Sequence, residues 1–102
     1  MEDFTVTTPL WRWQSATAAW FFVTIAGEAA DGIRMAAMTG QWLDGRKGFG
    51  SARVEANIGG TRWKTSVFPH KESGGWLLPV NAAVRKAEEL VEGDEVTVIV
   101  SL

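Results

Sequence analysis

The chain has 102 residues and a mass of 11.1 kDa, with 46% hydrophobic residues, 22% charged residues and a net charge of −2, which suits one soluble globular domain with a single core. It holds no cysteine and one histidine, His70, which excludes disulfides, thiolate catalysis, cysteine-ligated metals and a multi-histidine metal site within one chain. The longest uninterrupted apolar run, residues 18–23, has six residues against the about 18 that a membrane-crossing helix needs, and Glu2 and Asp3 stand where a secretory signal carries positive charge. A cytoplasmic domain with no cofactor, no metal and no membrane contact is therefore expected.

Residues 4–13 alternate in period two, with Phe4, Val6, Thr8, Leu10 and Arg12 facing one way and Thr5, Thr7, Trp11 and Trp13 the other. This predicts a strand, and Pro9, which cannot donate to a ladder, predicts an edge or a bulge. Residues 14–19 form a polar turn of small residues, and residues 20–25 a second strand, apolar on both faces and so expected to be deeply buried. The two should pair as a hairpin. Residues 28–38 have helical spacing, with Ala29, Ile33, Ala36 and Ala37 on one stripe and Gly32 weakening the helix by about 1 kcal/mol. Residues 39–50, with four glycines and no sustained period, read as the longest loop, in which Trp42 either plugs the core or sits exposed.

Ala52, Val54, Ala56 and Ile58 alternate with polar neighbours, Gly59-Gly60 makes a two-residue turn needing positive φ, and residues 61–68 return as a strand. Residues 69–75 read as a polar connection and residues 76–78 as a short strand closed by Pro79. Asn81 can cap a helix whose stripe is Val84, Ala87 and Val91, with Ala83 and Leu90 beside it. A tight turn at residues 92–94 leads to a last strand, in which Val96, Val98, Val100 and Leu102 alternate with Thr97, Ile99 and Ser101. The expectation is a mainly β fold with two short helices: a small β-barrel of about six strands with helices covering its ends.

Two features of composition bear on function. Six tryptophans and no tyrosine are present. The charge is also uneven: residues 1–45 carry two basic and five acidic side chains, residues 46–71 six basic and one acidic, and residues 72–102 two basic and six acidic. A basic middle between acidic flanks either binds an anion or pairs with those flanks in the fold.

Most candidate chemistry falls away on inspection. His70 lies between basic and acidic neighbours, and Ser66 and Ser73 are near in sequence, but neither serine sits in a nucleophile elbow. The stretch Gly45-Arg-Lys-Gly-Phe-Gly50 leads into a strand rather than a helix, so it is no P-loop. Five acids between Glu88 and Glu95 crowd one segment and do not flank a cleft. What remains is aromatic plus basic: Trp11, Arg12 and Trp13, then Arg62, Trp63 and Lys64, where rings can stack on a base or sugar and cations meet a phosphate. On strands, however, these tryptophans and cations face opposite ways, and tryptophans filling the barrel would leave the cations merely coating it.

The order Gly48-Phe49-Gly50-Ser51, Arg53, Ile58-Gly59-Gly60-Thr61 with Trp63, Thr65 and Ser66, then Phe68-Pro69, Leu78-Pro79-Val80, Val84-Arg85 and Gly93-Asp94 resembles a bacterial family, the domain of unknown function 1905. Phe4, Trp11-Arg12-Trp13 and Trp20-Phe21-Phe22-Val23 look like its opening strands. The resemblance implies a β-barrel of the double-split type, loosely similar to the barrels of AbrB-like transition-state regulators, and carries over no activity or catalytic residue.

The function expected is a non-enzymatic module binding a small anionic or aromatic ligand, anchored by Arg53 and Arg85, with Trp63, Ser66 and Lys71 lining the same hairpin and its exit, and Trp11 and Trp13 as stacking surfaces. The alternatives are nucleic-acid binding through residues 46–71, a structural or oligomer-building role, and hydrolysis or isomerisation using His70. Whether the chain is a monomer or a homodimer stays open at this point.

Overall fold

The computed structural model describes residues 3–44 and 51–102, with side chains up to Met38 and from Ser51 onward. The side chain of Trp42 and the Gly45–Gly50 stretch, with Arg46 and Lys47, lie outside the described residues. Among the described residues, seven strands and two helices run in the order β1 (Asp3–Pro9), β2 (Trp11–Gln14), β3 (Ala19–Ile25), α1 (Glu28–Asp44), β4 (Ala52–Ile58), β5 (Thr61–His70), β6 (Gly75–Pro79), α2 (Ala82–Ala87) and β7 (Glu95–Ser101). All strand pairings are antiparallel, and the sheet order β1-β7-β4-β5-β6-β3-β2 curls into a half-barrel.

One residue joins the two ends of the curled sheet. β1 and β2 stand at opposite ends of the sheet, yet only Leu10 separates them in the chain. Pro9 offers no N–H, and at Leu10 the β1–β7 ladder gives out: its N–H still donates to the Asp94 carbonyl at 2.8 Å, in register, but its carbonyl accepts from the Gly93 N–H at 2.8 Å, one residue out of register. The single strand expected over residues 4–13 is thus two, which makes seven strands rather than about six.

The concave face holds the core. Val23 and Ile25, Val54, Ala56 and Ile58, Val67, Leu78, and Val96, Val98 and Val100 are all buried, at the alternate positions that period two selects. α1 packs onto this face through Ala29, Ala30 and Ile33. Trp76, in the core, donates its Nε1–H to the Ala30 carbonyl at 3.1 Å. Gly32 belongs to the same contact: the Phe4 ring lies where its Cβ would be, so the glycine that weakens the helix is what lets the ring reach the backbone.

The β4–β5 hairpin turns on Gly59-Gly60, with Ile58 opposite Thr61, and Gly59 has φ +58°. At the β2–β3 turn, Ser15 Oγ accepts from the N–H groups of Thr17 and Ala18 at 3.3 and 3.1 Å. Asn81 caps α2, its side chain accepting from the Val84 N–H at 2.9 Å.

Several expectations are corrected. α1 continues past residue 38 to Asp44, because a glycine at position 40 weakens a helix by about 1 kcal/mol without a stop signal to end it. Ala30, not Ala36, is buried on its stripe. β5 runs through Pro69 to His70, paired with Trp76 and Gly75, so the connection shrinks to residues 71–74. α2 ends at Ala87: Glu89 adopts φ 53° and the Leu90 N–H reaches back to the Arg85 carbonyl at 2.8 Å, the reversal that closes many helices. Val91 therefore falls beyond the helix and is exposed. β3 is not deeply buried on both faces; Val23 and Ile25 are, while Trp20 is 53% exposed. Among the described residues no helix is long and apolar enough to cross a membrane.

Candidate functional site

The convex face of the half-barrel falls into two halves that meet on β5. Strand alternation puts Arg62, Lys64, Ser66, Phe68 and His70 on that face in a single row. On the side of the first three, the neighbours are Arg53, Glu55 and Asn57 of β4 and Thr97, Ile99 and Ser101 of β7. On the side of Phe68 and His70 they are Leu77 and Pro79 of β6, Phe22 and Thr24 of β3, and Trp11 and Trp13 of β2.

In the polar half the two-residue turn sets the register: Arg53 stands opposite Ser66 and Glu55 opposite Lys64. Arg53 donates from Nη1 to Ser66 Oγ at 3.3 Å. Glu55 is drawn the other way, with Oε1 3.6 Å from Arg62 Nε. Arg53, Val54, Glu55, Lys64, Ser101 and Leu102 line a groove of about 310 Å³. Two cations thus border a small cleft whose lining glutamate has a cation of its own.

Arg85 lines a different groove, of about 260 Å³, with Trp20, Phe21, Pro79 and Val80. Its guanidinium carbon sits 3.8 Å above the Phe21 ring centroid, within cation–π range, and its Nε–H donates to the Val80 carbonyl at 3.2 Å. These contacts tie α2 to β3 and to the residue that follows β6, giving Arg85 a structural task.

The residues singled out from sequence do not converge. Arg53 and Ser66 meet in the polar half. Trp63 points the other way, half-buried against the core opposite Ala56. Lys71 is exposed in the β5–β6 turn. Trp11 and Trp13 share the aromatic half, where Trp11 donates its Nε1–H to Thr24 Oγ1 at 3.0 Å and its ring lies 5.2 Å from Phe22 and 6.3 Å from His70. His70 is half-buried and its Nδ1 lies 2.8 Å from Ser73 Oγ, so its neighbours in the fold are a hydroxyl and an indole.

The two ion pairs among the described residues are Arg34–Asp31 at 3.0 Å and Arg62–Glu55 at 3.6 Å. Neither joins the basic segment to an acidic flank. Among the described residues no three His, Cys, Asp or Glu side chains gather as a metal site would require. Glu88 accepts from Thr61 Oγ1 at 2.6 Å and Asp94 Oδ2 from the Val91 N–H at 2.9 Å, so both acids serve local structure.

Lys64 was named only among the cations flanking Trp63, and Glu55 was not a site candidate, although the Gly59-Gly60 register was enough to place both beside Arg53 and Ser66. Trp20, Phe22 and Phe68 escaped because an apolar strand does not say which of its faces will be covered.

The architecture is that of a small, mainly β half-barrel with a helix against its concave side and open grooves on its flanks. The chain belongs to the Domain of unknown function (DUF1905) family, whose model matches residues 7–100. No curated protein matches it.

Proposed function

We propose that this domain is a non-catalytic binding module whose ligand is a small anion with an apolar or aromatic body, held in the groove between Arg53 and Lys64. The observation that carries this is the position of Arg53. It lines the 310 Å³ groove and is hydrogen-bonded to Ser66 through one Nη1–H, while a guanidinium has five donors in a planar fork that suits carboxylate or phosphate. Lys64, on the same groove, adds a second positive charge. The volume is at the lower end for small-molecule sites.

An amide-shift titration of labelled protein at low salt, first with benzoate and inorganic phosphate and then with a short mixed duplex, tests this reading. Saturable shifts centred on Arg53, Glu55, Lys64 and Ser66 are the expected result, with Arg53→Ala weakening the small anion by about tenfold or more, the size of one charge-assisted hydrogen bond. Shifts centred on Arg85 instead would move the site to the second groove. Shifts spread along β4 and β5 and abolished by salt would favour nucleic acid. No response to any probe would sink the proposal.

A further inference from the structure

The aromatic half of the convex face takes no part in the Arg53 groove. Trp13, Trp20 and Phe68 are 49%, 53% and 44% exposed, with Trp11, Phe22 and Leu77 half-buried between them. Along this face, from Trp13 on β2 to Phe68 on β5, the register places no charged side chain. Of its inner polar groups, Trp11 Nε1 is bonded to Thr24 and His70 Nδ1 to Ser73. Contiguous apolar surface of this kind is rare on monomers and marks interfaces, and the centre of an interface is rich in aromatics and poor in charge.

We infer that this face is where two copies of the chain dock, sheet against sheet, about a two-fold axis. The chemistry separates this occupant from the others. A sugar needs polar groups around its ring, and a nucleic acid needs cations beneath its phosphates; the face presents neither. A second copy needs only the same apolar surface turned on itself, because an isologous contact joins like to like and an uncharged face meets no like-charge repulsion. The area suffices. With aromatic side chains burying about 150–250 Å² each, the exposed parts of the three outer rings and their half-buried neighbours come to roughly 500 Å² per copy, hence roughly 1,000 Å² per pair, the lower bound for a specific interface. The resulting dimer is a modest one, dissociating in the micromolar range.

Sedimentation velocity from about 1 to about 200 µM decides the matter, since a weak dimer shows itself by mass action. The wild type should move from one chain of 11.1 kDa toward twice that mass, and its tryptophan emission should shift to the blue as Trp13 and Trp20 leave water. Trp20→Glu places two like charges in the contact and should weaken association at least tenfold while circular dichroism stays native; Phe68→Glu is the independent second variant. Thr5→Lys, exposed on β1 in the polar half, should leave the mass unchanged. A wild type that remains a single chain throughout overturns the inference, as does a dimer that survives both glutamates or is dissociated by Thr5→Lys. Anion binding in the Arg53 groove is unaffected by either outcome, because that groove lies in the other half.

Discussion

The two halves of the convex face are built on one sheet with the same inward alternation, and they differ only in what points outward. In the polar half several outward side chains meet one another: Thr7 and Thr97 hydroxyls at 2.9 Å, Arg53 with Ser66 through one N–H, and Arg62 with Glu55. In the aromatic half they are rings, and rings can be satisfied only by more apolar surface. A strand buried on its inner face is obliged to be apolar at every second residue and nowhere else. The outward rows of Arg62, Lys64 and Ser66, and of Trp11, Trp13, Trp20 and Phe22, are therefore not required by the core. Outward residues that the core does not need are where function is to be sought.

The comparison can be broken most severely at Gly75, where a Cβ would collide with the Ile25 backbone carbonyl. Backbone cannot yield as a side chain can, so Gly75→Ala should separate β6 from β3 and destabilise by about 3 kcal/mol or more in urea unfolding. On the inward side of the polar half, Val98, with no exposed surface, should lose about 2 kcal/mol on substitution by alanine. Gly59→Ala strains a backbone with φ +58° and meets the Glu88 carboxylate; it should lower stability by about 1–2 kcal/mol and loosen the hairpin tip from α2. The sharpest contrast comes from Trp20→Ser. Despite the size of the ring removed, the unfolding free energy of the isolated chain at low concentration should change by no more than about 0.5 kcal/mol, as for an exposed position. A loss of 2 kcal/mol there would mean that the aromatic half is core after all. Last, Glu89→Gly relieves the one non-glycine residue with positive φ among the described residues and should raise stability by about 0.5–1 kcal/mol, read as a higher urea midpoint.

Much of the fold was legible because period two is unambiguous where one face is buried. Val54, Ala56 and Ile58 and Val96, Val98 and Val100 are buried as their spacing demands, and Gly59-Gly60 closes the hairpin in the register its dipeptide requires. The Asn81 cap was legible for a local reason too, since its hydrogen bond spans three residues. The extent of α1 was not, because Gly40 argues locally against a helix that continues through it. Nor was the break at Leu10, since the partners of its two backbone bonds are residues 93 and 94, far along the chain. The candidate site divides in the same way. Arg53 and Ser66 could be paired from the turn alone, while Arg85 was separated from Arg53 only by the docking of α2 over Phe21.

By itself the sequence determined the inward pattern, the central hairpin, the capped second helix, the mainly β class and the family, each of which depends on neighbours a few residues apart or on ordered motifs. Only the tertiary structure decided that Leu10 joins the two ends of the curled sheet, that Trp63 and Trp76 turn toward the core while Trp13 and Trp20 stay in water, and that the two arginines line separate grooves. Those outcomes depend on which distant elements cover which face, and no local period records the far side of a sheet.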